Sequence, residues 1–153
     1  MNAIQADSPE SVQLGNDARI KNLVTAWAEA IRTKDVAAVT RHFIGHPVNF
    51  SLAPPLQEDG SLRETLVDWF ATFDGPLELE LRDLQIFAGD RAAWCRALAR
   101  LAGTKTGGEK SGLWFRMTMG FQKDGEAWKI AHLHESVPFL MDGSDKAALD
   151  LQP

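Results

Sequence analysis

His132 and His134 stand two residues apart near the end of the chain, in an alternating stretch that reads as a β-strand, so both side chains leave the same face. Histidine titrates near neutral pH, and such a pair could serve as general acid and general base. The spacing also makes a two-ligand chelate, but a metal needs a third and fourth donor. His42 and His46 are available, while Glu135 alternates to the opposite face; the set is incomplete, and no metal and no cofactor is expected. Hydrogen-bonded histidines of a pocket or core are the plainer alternative. Arg116 lies mid-strand between Trp114 and Thr118, where its charge needs either a ligand carboxylate or phosphate or an internal acid. Arg96, on the preceding strand, poses the same question.

Five Trp and eight Phe accompany no Tyr at all, which excludes any mechanism that needs a phenol as acid or oxyanion donor. Trp27, Trp69, Trp94 and Trp114, with Phe50 and Phe70, are candidates to line an aromatic cavity; ordinary core is the alternative reading of the same spacing. Cys95 has no histidine close in sequence and reads as a buried, inert thiol. No Gly-rich phosphate loop, serine nucleophile elbow or CxxC occurs.

The elements that must position these residues follow from periodicity. Residues 1–15 carry little pattern and read as a flexible arm. A helix is expected from a cap at Asn16 or Asp17 to about Lys34, with Ile20, Leu23, Val24, Trp27 and Ile31 on one face. Asp35 caps a short second helix that His46-Pro47 ends. Val48 to Leu52 alternates as a strand, and Pro54-Pro55 stops it. Ser61-Leu62-Arg63-Glu64 is a capping box for a third helix, which reaches Asp74-Gly75-Pro76. From there the period becomes two.

Leu77, Leu79 and Leu81 share one parity, Leu84 and Ile86 the other, so a bulge is needed near Asp83. Long strands follow, at about Arg91–Thr104, Leu113–Lys123 and Ala127–Val137. Hairpin strands of about 11–14 residues must twist and curl to remain one sheet. The order places helices on one face of a curved antiparallel sheet, an α+β class. A three-residue Lys123-Asp124-Gly125 loop, pairing Gln122 with Glu126, is preferred over a two-residue Asp-Gly turn. It puts Trp114, Arg116 and Thr118 on one face with Ile130, His132 and His134, expected inside the cup. Phe115, Met117, Met119 and Phe121 then lie on the reverse face, where a homodimer through the sheet would cover them; a C-terminal tail is the alternative cover.

At 153 residues and 44% hydrophobic content the chain suits one domain with its own core. A net charge of −5 without a basic run argues against nucleic-acid binding. A single cysteine favours a reducing compartment, and neither a secretory start nor a run of about 18 apolar residues is present, so a cytoplasmic protein without membrane contact is expected.

Several segments together carry a resemblance. They are Trp27-Ala28 with Ala30-Ile31 and Asp35; Pro54-Pro55-Leu56; Leu98 to Thr104; Leu113 to Thr118; and Gly125 to Phe139, the most specific. Over residues 16–139 the chain resembles the SnoaL-like, ketosteroid-isomerase-like branch of the nuclear transport factor two-like superfamily, leaving residues 140–153 as a C-terminal tail. The resemblance implies a cone-shaped, cystatin-like fold, with the sheet packed by three N-terminal helices, a hydrophobic pocket and frequent dimers. The superfamily spans isomerases, cyclases, dehydratases, epoxide hydrolases and non-catalytic binding domains, so fold alone does not give the reaction. Steroid isomerisation in this family implies a tyrosine and a first-strand acid. This chain has no Tyr, reads Asn49-Phe50-Ser51 in that strand, and has Arg96 where related chains often carry histidine.

Two functions are therefore expected to compete. One is a cofactor-independent isomerase or lyase on a small apolar or anionic compound, with His132 or His134 as base and Arg116 facing the developing oxyanion. The other is a non-catalytic ligand-binding or interaction domain on the same cone.

Overall fold

The computed structural model describes residues 9–58 and 60–153, with side chains from residue 15 onward. Helices α1 (Pro9–Arg32) and α2 (Val36–Thr40) precede strand β1 (Phe43–Phe50). Helix α3 (Leu62–Phe70) then leads into β2 (Phe73–Ala88), β3 (Ala92–Lys105), β4 (Lys110–Asp124) and β5 (Ala127–Ser136). The five strands form one open sheet in the order β1-β5-β4-β3-β2, antiparallel except that β1 runs parallel to β5. This is a mixed α+β fold whose long, curled strands cup the helices. Among the described residues no helix is long and apolar enough to cross a membrane.

The helix starts read from sequence hold at two places and fail at one. The Asp35 carboxylate accepts the Ala38 N–H at 2.9 Å, and Ser61 Oγ accepts the Glu64 N–H at 3.4 Å. The first helix, however, begins at Pro9 rather than beside Asn16; the expected arm over residues 1–8 lies outside the described residues. Asn16 is a tie rather than a cap. Its side chain, 3% exposed, donates to the Gly89 carbonyl at 3.0 Å and accepts from the Trp128 indole at 3.3 Å. Two further boundaries shift. Pro47 lies within β1 instead of ending the second helix, which an edge strand tolerates because its outer side needs no N–H donor. The third helix ends at Phe70, and β2 already runs through Gly75, whose φ of 67° suits glycine.

Of the sheet's register irregularities, two bulges decide which side chains face in. Arg82 pairs with Leu98 but Gln85 with Arg96, so β2 carries one extra residue, and Asp83 sits there at φ 55°. The change of apolar parity at this point requires that irregularity. The second bulge is in β5: Phe121 pairs with Ile130 and Gly120 with His132, leaving Ala131 over. The β4–β5 turn pairs Asp124 with Ala127, so neither expected hairpin forms: Lys123 faces Trp128 and Gln122 faces Lys129, where Glu126 was the partner expected for each.

These registers decide the faces. Phe115, Met117, Met119 and Phe121 point inward and pack with Ile20, Val24 and Trp27 of α1 in the core. Placing them on an outer face beneath a partner is therefore corrected. That stripe holds the larger apolar area, so the helices cover it, while Arg116 and Thr118 take the exposed side. Ile130 also faces in, separated from the histidines by the Ala131 bulge. Trp114 is on the outer side but only 9% exposed: its indole donates to Gln152 Oε1 at 3.1 Å in the C-terminal tail, and Arg82 stacks over its ring.

The strained position in β2 gives a direct check by chemical denaturation. Asp83→Gly is expected to be neutral or slightly stabilising, because glycine adopts positive φ freely. Asp83→Val is expected to lose about 1–2 kcal/mol, since a β-branched residue meets the left-handed penalty in full.

Candidate functional site

Between the helices and the concave face of the sheet lies an apolar cavity of about 220 Å³. Trp27 and Ile31 of α1, Leu66 and Trp69 of α3, and Leu79, Leu101, Phe115 and Leu133 from four strands form its walls. An apolar cavity of roughly 150 Å³ holds benzene, so this one accommodates a substituted ring.

The polar atoms are few and converge from three directions. Asn49 and Ser51 come from β1 and its exit, Glu58 from the following loop, and Glu135 from the end of β5. Glu58 is fixed by its backbone, which exchanges two hydrogen bonds with Asn49 at 2.9 and 2.8 Å. Ser51 Oγ donates to Glu58 Oε1 at 2.7 Å and orients the carboxylate. The Asn49 side-chain oxygen accepts the Leu133 N–H at 3.1 Å, tying the loop and β1 to β5. Glu135 faces inward because it keeps the parity of Leu133 and pairs with the inward Met117. Burial, and then the neighbouring Glu58 charge, push its carboxyl from the usual 4.5 up to about 7. Two carboxyls thus look into one apolar space, with one of them able to hold a proton near neutrality. That arrangement can donate and accept protons without a cofactor.

The residues singled out from sequence divide sharply. Trp27 and Trp69 line the cavity; Phe70 is buried beside it in the core. His132, His134 and Arg116 come together, but on the outer face of the sheet, and none reaches the cavity. His132 Nδ1 bonds the Val48 carbonyl, which can only accept, so that nitrogen carries the hydrogen. Phe50 sits on the same outer side, its ring edge-on to His132 at 4.7 Å and His134 at 5.4 Å. Arg116 Nε donates to Ser136 Oγ at 3.1 Å, and Arg96 donates to Gln85 Oε1 at 2.6 Å. Trp94 stacks on Phe87 at 4.2 Å, with 45% of its surface exposed. Trp114 lies under the tail. The histidine base and the Arg116 oxyanion partner are therefore corrected, and with them the argument for an anionic ligand.

Sequence pattern marks neither Glu58 nor Asn49 and Ser51 as a site, and it places Glu135 only on the face opposite the histidines. One signal existed: Glu135 alternates with Leu133, and an acid on an apolar inward stripe is costly without a purpose. Glu58 carried none, because only the fold brings its loop back against Asn49.

A family model described as a SnoaL-like domain matches residues 20–140. Among curated proteins nothing matches the chain. An NTF2-like protein of unknown function from Pseudomonas putida KT2440 superposes with a TM-score of 0.83 at 26% identity, covering 92% of this chain and 98% of that one. A protein from Streptomyces avermitilis, provisionally named a dehydratase of the NTF2-like family, gives 0.71 at 15% identity over 84% and 97% of the two chains. An uncharacterised protein with a cystatin-like fold from Caulobacter vibrioides gives 0.68 at 14% identity over 81% and 90%. At those last two identities the likeness concerns fold alone. Because the family model covers most of the domain, this chain belongs to the SnoaL-like family, within the NTF2-like superfamily.

Proposed function

We propose that the protein binds a small, largely apolar compound in the cavity and moves a proton on it, as a cofactor-independent isomerase or lyase. The observation that carries this reading is the pair of carboxyls, Glu58 and Glu135, on one apolar cavity. Glu58, oriented by Ser51, acts as the base; Glu135, kept protonated below about 7, supplies the acid. A carbon acid losing a proton to Glu58 while its carbonyl or leaving hydroxyl takes one from Glu135 would isomerise or dehydrate. Dehydration is also the activity in the provisional name of the Streptomyces avermitilis neighbour.

The reaction is tested by following α-proton exchange of small cyclic ketones and hydroxyketones in D₂O by NMR. Wild type is expected to exchange them above background, and Glu135→Gln to lower the rate by about 10²–10⁴-fold. Binding without exchange across the panel overturns proton transfer and leaves a non-catalytic binding domain.

Stability should report the same carboxyl. Its folded value, about 7, exceeds the ordinary 4.5, so the folded chain binds more protons between those pH values. Wild type then loses stability as pH rises from about 4.5 through 7, and Glu135→Gln does not. The variant is expected to match wild type near pH 4 in urea unfolding and to exceed it by roughly 1–3 kcal/mol at pH 8.

For the outer face we propose a second copy of the chain, meeting it through the sheet. The stacked Phe87 and Trp94, 44% and 45% exposed, supply an apolar contact there. Sedimentation velocity should give a dimer that Trp94→Glu weakens; a monomeric wild type at micromolar concentration removes this proposal.

A further inference from the structure

The charges that face the cavity are all of one kind. Among the described residues, the titratable side chains on its wall are Glu58 and Glu135, and no Lys, Arg or His joins them from any helix or strand that encloses it. Arg116 is on the other side of the sheet, bonded to Ser136, and the guanidinium of Arg32 is spent on the Leu79 carbonyl. A ligand bringing a second negative charge would enter low-dielectric space already holding Glu58, where like charges repel strongly. A ligand bringing a positive charge would meet two carboxyls and the faces of Trp27, Trp69 and Phe115, which also attract cations. The polar end is held in place: Asn49, 5% exposed, spends its side-chain oxygen on the Leu133 N–H, and Ser51 Oγ donates to the Glu58 carboxylate.

We infer that the cavity sorts ligands by charge, taking a small apolar compound that carries one protonated amine and refusing carboxylates and phosphates of the same shape. The ammonium donates to the Glu58 and Glu135 carboxylates, and the apolar body fills the space between Trp27 and Trp69. An amine binds best once Glu135 has lost its proton, so affinity rises as pH rises through about 7, and binding below that pH releases a proton to solvent. This inference rests on the cavity being the ligand site, as in the reading above, but not on any reaction taking place there.

The test is isothermal titration of the full chain with benzylamine, benzyl alcohol and benzoate at pH 5.5 and pH 8. An alkylamine, like that of lysine, stays protonated throughout this range, and benzoate stays ionised, so the pH effect belongs to the protein. Benzylamine is expected to bind tightest and to gain roughly tenfold from pH 5.5 to 8, with benzyl alcohol weaker and nearly indifferent to pH, and benzoate undetected at pH 8. Glu135→Gln and Glu58→Gln should each weaken benzylamine roughly tenfold and leave benzyl alcohol within about twofold. Benzoate binding at pH 8 as tightly as benzylamine overturns the inference. So does an amine affinity that neither substitution changes, or the failure of benzylamine to bind at all. Wild type alone decides the charge ranking if a variant fails to fold. Loss of proton exchange with the ranking intact counts only against the reaction; a reversed ranking with exchange intact counts only against the charge selection.

Discussion

Which side of β4 is buried governs the rest of this molecule. Phe115, Met117, Met119 and Phe121 form its apolar stripe, which shares one buried core with Ile20, Val24 and Trp27 of α1. With that stripe inside, a perfectly regular β5 carrying Ile130 inward would also turn His132 and His134 inward. The extra residue at Ala131 breaks that parity. Ile130 keeps its place in the core, the histidines go out, and Leu133 and Glu135 come in. One bulged alanine thus decides whether the cavity receives imidazoles or a carboxyl.

The two bulges differ in how plainly the sequence announces them. At Asp83 the strand is marked by leucines on both sides, so the change of parity can be counted. At Ala131 the small side chain suits either face, and His132 and His134 look like a functional pair under regular alternation. The information was nonetheless present, since Ile130 and Leu133 stand three apart and cannot share one face of an unbroken strand. The three helices, the caps at Asp35 and Ser61, the long curved sheet and the aromatic walls at Trp27 and Trp69 are readable, because each depends on local spacing. Glu58 is not, because its role is created by a loop folding back to Asn49. Asn16 has the chemistry of a cap, since asparagine favours that place, but tertiary bonds to Gly89 and Trp128 take its side chain instead.

A carboxyl in an apolar wall works against folding. Among the described residues no cation lines the cavity beside Glu135, and the Glu58 carboxylate acts on it there. The scaffold tolerates this because the surrounding core is otherwise apolar and because the polar neighbours are held rigidly: Ser51 on Glu58, Asn49 on Leu133, and two backbone bonds closing the loop. Such concentrations of strain in the energetics, rather than in the geometry, are what functional sites commonly show.

The open sheet leaves two edges, and both are obstructed. On β2 the guanidinium of Arg32 takes the Leu79 carbonyl with two donors, at 3.0 and 2.6 Å, and Lys34 takes the Phe73 carbonyl at 2.8 Å. On β1 the chain carries Pro47 and an irregular register between Phe43 and Val48. Neither border offers an uninterrupted ladder to an incoming strand. Growth by strand addition, the route to fibrils and to runaway polymerisation, is thereby blocked at both ends.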